Sequence, residues 1–310
     1  MPVVSVITKD GIKKGTVFNM MLESTLRIPY TDAIIVDDSN DDVTSEYTRK
    51  FMERNDKHIA IAKSNLYGRS APTRATARQT AIDIFLKDYN EDFLVQLDDD
   101  VVLRAGWWDE ALGAFEKGTT GLFYGVPYDV NSDNELLAEK IYPEKIKRAI
   151  NVFSQRGGTN DIALRRKALD TVRERFGIIP PELHLYEDAW LLRAIECSGY
   201  TAVIGKVGAL QYDPLKVGRS EVPETYDADL KYIRLASKYG IIKSTSVADD
   251  IAGILVSTAG LIPWSVRYAK KLGVNRGIAT AFKRQQIKVL YRYVKVRSAL
   301  GDTCKSIQKR

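Results

Sequence analysis

Three consecutive carboxylates, Asp98, Asp99 and Asp100, directly follow the apolar run Phe93–Leu97. Alternate side chains of an extended chain point to the same side, so Asp98 and Asp100 would face one way and Asp99 the other. Carboxylates held this close repel each other unless a cation lies between them, and Mn²⁺ or Mg²⁺ would satisfy them while leaving positions for diphosphate oxygens. The run therefore predicts a divalent-metal site, and the alternative is a solvated acidic loop.

Three further groups of residues are candidates for binding or proton transfer. Asp37 and Asp38 follow a second apolar run, where they either bind a ligand or cap a turn. Glu187 and Asp188 begin a predicted helix, where acids are favoured by the helix dipole even without a function. The pair 157–158, two glycines, either lets a ligand approach the backbone closely or forms a simple turn.

The elements that would position these residues alternate in the first hundred residues. Short β-branched runs predict strands at Val3–Thr8, Ala33–Val36, His58–Ala62 and Phe93–Leu97. Longer periodic stretches predict helices at Val17–Arg27, Thr44–Arg54 and Thr73–Lys87. This order is typical of an open, mainly parallel, Rossmann-like sheet flanked by helices. Ligands of such sheets bind beyond the carboxyl ends of the strands, which is where the acidic groups lie.

The pattern after Trp107 is mixed. It predicts strands near Leu122–Val126, Val152–Gln155, Asp161–Leu164 and Thr201–Val207. It predicts helices at Glu187–Cys197 and Ala228–Tyr239, with two or three basic helices beyond Ser244. We divide the chain into a domain at 1–243, with a nucleotide-binding half to about 105 and an acceptor half after it, and a helical extension at 244–310.

Five segments in this order resemble the motifs of family 2 glycosyltransferases. They read IIVDDSND, ARQTAI, FLVQLDDDV, GGTNDIALRRKAL and YEDAWLLRAIECSGY, and the similarity covers roughly residues 3 to 215. Each motif alone is weak, but the ordered set is specific. The resemblance implies a GT-A fold and an inverting, metal-dependent transfer of one sugar from a nucleotide-diphosphate sugar, of UDP or GDP type, to a glycan or lipid-linked acceptor. The QxxRW motif of processive synthases is absent, which favours a single transfer over polymer synthesis.

The resemblance also assigns roles to individual residues. Asp98 and Asp100 would hold Mn²⁺ or Mg²⁺, and Asp188, next to Glu187, would be the general base that deprotonates the acceptor hydroxyl. The residues that would contact the donor are Thr8, Asp37, Asp38, Arg78, Asp98, Asp99, Gly157, Gly158, Lys216 and Arg219. Many relatives have a metal-binding His after the Glu-Asp helix, and this chain has none there, so either Asp213 or two water molecules would complete the metal coordination.

Positive charge is concentrated at the C-terminal end. Residues 244–310 contain 13 Lys and Arg against 3 Asp and Glu, whereas the rest of the chain is mildly acidic. Aromatic and aliphatic residues recur among these basic residues every three or four positions, as in amphipathic helices. We expect this extension either to lie on an anionic membrane surface or to pack on the domain or in a homo-oligomer.

Other function classes remain open from the sequence. A sugar nucleotidyltransferase would share the sheet and the metal, but the segment KDGIKKG lacks that class's glycine-rich phosphate loop. A non-catalytic or nucleic-acid-binding protein would use the basic extension, yet no RNA-binding signature accompanies it. The chain enters an apolar strand at once, so we expect no signal peptide. The longest uncharged stretch, Ile251–Val266, is too short for a spanning helix, so we expect none. We expect a cytoplasmic location, either free or peripheral at the inner membrane face.

Overall fold

A computed structural model describes residues 1–130, 160–183, 186–212, 230, 233–235, 237–241, 246–300 and 304. The chain divides into two compact units, Met1–Lys216 with the last two residues, and Val217–Gln308. The predicted boundary at 243 stays a prediction. Of the helix predicted at Ala228–Tyr239, residues 230, 233–235, 237 and 238 are helical, and five residues of that range lie outside the described part of the chain. The strand predicted at Val152–Gln155 lies entirely outside the described residues.

The first unit is a mixed α/β structure. Its strands are β1 Pro2–Thr8, β2 Asp32–Asp37, β3 His58–Ala62, β4 Phe93–Asp98, β5 Val101–Leu103, β6 Thr120–Tyr124, β7 Pro127–Val130, β8 Asp161–Arg165, β9 Thr201–Ile204 and β10 Ala209–Tyr212. Its helices are a short 3₁₀ helix Gly11–Lys14, then α1 Thr16–Thr25, α2 Val43–Arg54, α3 Arg74–Asp88, α4 Trp107–Phe115, α5 Arg166–Phe176 and α6 Glu187–Cys197.

Seven strands form the main sheet in the order β3-β2-β1-β4-β8-β6-β9. All neighbouring pairs are parallel except those made by β8, which is antiparallel to β4 and to β6. The mainly parallel sheet flanked by helices confirms the predicted fold class. Strand order reverses between β1 and β4, and this reversal creates the crevice in which open α/β sheets bind ligands.

The burial of the central strands explains why the fold of the first hundred residues could be predicted from the sequence. All seven residues of β1 are buried, since helices cover both faces of the sheet. The helix α3 begins with a capping box, in which the Thr73 hydroxyl accepts from the Thr76 amide and the Thr76 hydroxyl accepts from the Thr73 amide. This cap fixes the first turn of α3 at the carboxyl edge of the sheet.

A second sheet of three strands, in the order β5-β10-β7, joins the end of β4. β10 is antiparallel to β5 and parallel to β7. The sequence pattern predicted neither this sheet nor the helices α4 and α5. Only Asp99 and Asp100 separate β4 from β5, so the acidic run is the connection between the two sheets.

Among the described residues of the second unit from 246 onward, three helices follow one another: α7 Val247–Ala259, α8 Leu261–Leu272 and α9 Val274–Leu300. This agrees with the helical basic extension predicted beyond Ser244. Both shorter helices pack on α9, and a Cβ at Gly277 of α9 would lie 2.3 Å from the backbone nitrogen of Ala269, so the two helices approach very closely there. No single helix among the described residues is long and apolar enough to cross a membrane, although Val247–Ala259 and Leu261–Lys270, bent by 47°, meet that criterion together.

Candidate active site

The acidic run lies at the carboxyl edge of the main sheet, next to the end of β1. Asp98 is the last residue of β4 and pairs in register with Ile7, which places Thr8 beside Asp99. The Thr8 hydroxyl donates to Asp99 Oδ2 at 2.7 Å. The side chains of all three aspartates are mostly buried, so their charges need partners within the fold.

Lys14, from the 3₁₀ helix after β1, is the partner of Asp99 and Asp100. Its Nζ lies 2.5 Å from Asp99 Oδ1 and 3.1 Å from Asp100 Oδ2. Burial disfavours the ammonium ion, but the two carboxylates outweigh burial and raise the pKa of Lys14. Burial also raises the pKa of Asp100, which the Lys14 charge opposes. A single ammonium group therefore stands between two of the three carboxylates.

Arg78 of α3 is the partner of Asp98, and it reaches the start of α6 as well. Its Nη2 lies 2.6 Å from Asp98 Oδ1, and its Nε lies 3.5 Å from Glu187 Oε1. Arg78 is almost fully buried, and its Nη1 has no hydrogen-bond partner among the described residues. Burial, together with the neighbouring Asp188 charge, raises the pKa of Glu187 to about 8, against the opposing effect of Arg78. Arg78 thus joins the acidic run to the Glu-Asp pair.

Asp188, the second residue of α6, lies in the helix's first turn. Its Oδ1 accepts from the Ala189 amide at 2.7 Å, and the side chain is only partly buried. The more buried Glu187 faces Arg78. Of this pair, Asp188 is the carboxylate that is more accessible to solvent.

Asp37 and Asp38 lie at the end of β2 and have different surroundings. Asp37 is fully buried and accepts from the Ser39 amide at 3.0 Å, from the Ser39 hydroxyl, and from the Ser45 hydroxyl at 2.6 Å. These bonds form the turn cap that was the alternative reading of the pair. Asp38 accepts from the amide and hydroxyl of Ser64 at 2.9 and 2.6 Å, and unlike Asp37 it lines a cavity.

The cavity has a volume of about 310 Å³ and opens at the carboxyl edge of the sheet. Its lining residues come from β1 and the loop after it, from the ends of β2 and β4, and from the start of α3: Ile7, Thr8, Lys9, Lys14, Asp38, Pro72, Thr73, Arg74, Ala77, Asp98, Asp99 and Asp100. Burial disfavours the Arg74 guanidinium, but Asp98, Glu187 and the other acids outweigh burial and raise its pKa. The cavity therefore joins carboxylates at one wall to three cations, Lys9, Lys14 and Arg74.

A larger cavity of about 480 Å³ lies at the opposite end of β8, away from these acids. Arg165 and Arg166 line it, and both already donate to main-chain carbonyl groups. Neither the acidic run nor the Glu-Asp pair lines this cavity, and we assign the chemistry to the smaller one.

The sequence was compared with known families and structures. The sequence profile of glycosyl transferase family 2 matches residues 20–172. This chain carries a family 2 glycosyltransferase domain. Comparison with curated proteins found no match. Solved structures with the same fold include S. aureus TarS, at 13% identity and TM-score 0.52, where the alignment covers 95% of this chain and 55% of TarS. The TarS 1-349 structure in complex with UDP-GlcNAc is 12% identical with TM-score 0.51, and the alignment covers 95% of this chain and 90% of that one. These likenesses establish the GT-A fold of the glycosyltransferase.

The oxygen donors of Asp98 and Asp100 are of the kind that Mn²⁺ and Mg²⁺ prefer. Among the described residues no three His, Cys, Asp or Glu side chains are grouped to hold a metal ion. Within the described residues, Asp98 and Asp100 are the two carboxylates that would hold a divalent ion. The predicted third ligand, Asp213, lies outside the described residues.

Four other residues predicted for the glycosyltransferase site, Gly157, Gly158, Lys216 and Arg219, also lie outside the described residues. The structure does bring Thr8, Asp38, Asp98, Asp99 and Asp100 to one cavity. Arg78, predicted to line the donor pocket, is buried and is not among the residues that line the cavity. Arg74, one helical turn earlier, does line it. Sequence reasoning missed Lys14 and Arg74.

Proposed function

We propose that this glycosyltransferase transfers one sugar from a nucleotide-diphosphate sugar to an acceptor hydroxyl, with inversion and with the help of Mn²⁺ or Mg²⁺. The observation that carries the proposal is the single cavity that joins the strand-end carboxylates to Lys14 and Arg74. This combination suits a diphosphate, since cations bind its oxygens and the carboxylates bind a bridging metal ion. The complexes of TarS 1-349 with UDP-GlcNAc and with UDP support a donor of this class.

The nucleoside end of the donor is assigned to the β1–β2 side of the cavity. Asp38 lines this side, and its carboxylate would accept an N–H of the base, as the Ser64 amide and hydroxyl hold it in place. Thr8 contributes the end of β1. Asp37 supports this wall from behind through its bonds to Ser39 and Ser45. Binding of UDP and GDP, measured by calorimetry, tests the assignment: Asp38→Ala should weaken nucleotide binding, whereas the exposed Asp41→Ala should not.

The metal is assigned to Asp98 and Asp100. When bound, it would neutralise the charge that develops on the leaving diphosphate. Asp100→Ala should abolish the Mn²⁺-dependent stabilisation by nucleoside diphosphate in a thermal-shift assay, and stability without ligand should hold, because repulsion within the acidic run is relieved. Asp109→Ala, an exposed aspartate of α4, is the matched control. Unchanged Mn²⁺-dependent nucleotide affinity in Asp100→Ala would refute the assignment.

The general base is assigned to Asp188, which lies beyond the matched residues of the family profile. Its carboxylate would take the acceptor proton, and buried Glu187 would hold Arg78 and the start of α6 in place. Asp188→Asn should leave donor binding nearly intact and lower the transfer rate by about 10²-fold or more. Asp170→Asn, an exposed aspartate on α5, should leave the rate unchanged. The product should have the anomeric configuration opposite to the donor's, and retention observed by NMR would reject the inverting mechanism.

We assign to the second unit the binding of an anionic membrane surface, which would bring the enzyme to a lipid-linked acceptor. Around the α7–α8 bend the apolar side chains are largely exposed: Leu255 by 68%, Val256 by 72% and Ile262 by 75%. The same unit carries the excess of Lys and Arg, and each basic residue near an anionic surface contributes about 1 kcal/mol. This combination favours a lipid surface over a purely apolar protein face.

Point variants of the full chain test the membrane assignment. The double variant Val256→Glu with Ile262→Glu should lose sedimentation with liposomes that contain anionic lipid. Val43→Glu, at an exposed apolar position of α2, should keep it. Wild-type protein that does not sediment with such liposomes at low salt would reject the assignment, and a dimer seen by analytical ultracentrifugation that the double variant abolishes would identify this face as a homo-oligomer interface.

A further inference from the structure

Lys14 places its ammonium group in the acidic run, against one of the two carboxylates assigned to the metal ion. Its Nζ contacts a carboxylate oxygen of both Asp99 and Asp100, at 2.5 and 3.1 Å. The side chain is one-third exposed and lines the cavity, so solvent and ligands can reach it. Its sequence neighbour Lys13 points elsewhere, since it is two-thirds exposed and pairs with Asp10.

Two positive charges cannot share these carboxylates without repulsion. A divalent ion held by Asp98 and Asp100 would meet the Lys14 ammonium at Asp100, and would also lie near Arg78, which already pairs with Asp98. Metal binding in the absence of other ligands is therefore opposed by charges that the fold itself places there. A diphosphate removes this opposition, because its oxygens offer the ammonium group a new anionic partner.

Lys14 can exchange the carboxylates for a diphosphate by moving its side chain alone. A lysine has a flexible four-carbon stem and a compact charge with three donors that rotate freely. Lys14, Thr73 and Arg74 line the same cavity, so an ammonium that leaves Asp99 and Asp100 still faces the space assigned to the diphosphate. The backbone of β1 and β4 can stay in register during this exchange.

We propose that Lys14 is a switching cation: it neutralises Asp99 and Asp100 in the donor-free enzyme and moves to the diphosphate when metal and donor bind. This inference rests on the proposed nucleotide-sugar site. It makes metal and nucleotide binding mutually dependent, since each relieves a repulsion that opposes the other. A lysine with only a structural role would give no such dependence.

Mn²⁺ binding to the full chain tests the proposal, with free Mn²⁺ measured by its EPR signal, with and without UDP or GDP. Wild-type protein should bind Mn²⁺ weakly alone and more tightly with the nucleotide. Lys14→Met should bind Mn²⁺ alone about tenfold more tightly, and the enhancement by nucleotide should shrink by a similar factor. Lys13→Met should behave as wild type, and Lys14→Arg, which keeps the charge, should retain the wild-type weakness toward Mn²⁺ alone.

Two outcomes would overturn the switching role. One is an affinity for Mn²⁺ alone that Lys14→Met leaves unchanged or weakens, in protein with a wild-type circular-dichroism spectrum. The other is Mn²⁺ that binds neither protein. Failure of the proposed function has a different signature, because then neither nucleotide binds the wild-type enzyme with Mn²⁺ present, while the arm with Mn²⁺ alone still reports on Lys14.

Discussion

Removal of the buried Arg78 charge should lower the free energy of unfolding of the first unit by a measurable amount. Arg78→Met keeps most of the apolar stem but leaves Asp98 without its partner at 2.6 Å. Opposite charges about 4 Å apart attract by about 4 kcal/mol at an effective dielectric constant near 20. Glu187 adds less, because its contact is 3.5 Å long and burial raises its pKa, which favours the uncharged form. Loss of one partner of a buried pair costs about 3–5 kcal/mol, and we expect the lower end because Asp98 retains some contact with solvent.

Urea denaturation at pH 7, followed by far-UV circular dichroism, measures this loss. Arg49→Met, at an exposed arginine of α2, is the control and should change the free energy of unfolding by less than about 0.5 kcal/mol. Adding Asp98→Asn to Arg78→Met should recover part of the loss, because the unpaired buried charge is then removed. A loss below about 1 kcal/mol in Arg78→Met would mean that the pair is effectively solvated, and would refute the reasoning from burial.

Three further predictions concern stability. Burial raises the pKa of Asp161 to about 8, so between about pH 4 and pH 8 the folded state holds a proton that the unfolded state has released. Because of this group, the free energy of unfolding should fall by up to about 1.4 kcal/mol for each unit of pH increase in that range. Asp161→Asn, which keeps an oxygen for the Trp107 indole N–H, should reduce that slope in urea denaturation at pH 5, 6 and 7, and an unchanged slope contradicts it. Gly113→Ala should raise the free energy of unfolding by about 0.5–1 kcal/mol, because Gly113 lies within α4 and an added Cβ meets nothing within 4 Å; a lower melting temperature contradicts this. Gly277→Ala should destabilise the helical unit by about 1–3 kcal/mol despite the better helix propensity of alanine, because its Cβ would press on the backbone at Ala269, and a gain in helical stability contradicts it.

The first half of the fold was predictable because parallel strands buried on both faces give continuous apolar runs. The predicted His58–Ala62 matches β3 residue for residue, β1 and β4 are each one residue longer than predicted at one end, and β2 is one residue longer at both ends. The helix α4 gave a weaker signal, since it has no side-chain cap and contains Gly113. The second sheet consists of strands of three or four residues, which are too short for a period to show.

The candidate site was predictable where strand ends carry it and not where loops and helix faces do. Acids that follow an apolar strand must lie at the carboxyl edge, so Asp38 and the acidic run could be placed from the sequence. Lys13 and Lys14 are equivalent in the sequence, and only the folded loop shows which one reaches the acids. Arg74 and Arg78 lie one turn apart on the same helical face, and only the packing of α3 shows which lines the cavity.

The position of the acidic run between the two sheets makes it a direct connection from one sheet to the other. Asp98 ends β4, Val101 begins β5, and the Asp100 carbonyl accepts the Tyr212 amide at the end of β10 at 3.0 Å. A displacement of the carboxylates on ligand binding would therefore be transmitted to the three-stranded sheet through the backbone and through this hydrogen bond. The rate of amide hydrogen exchange in β5 and β10 should consequently change when a ligand binds to the carboxylates. These two strands would then report ligand binding without an added label.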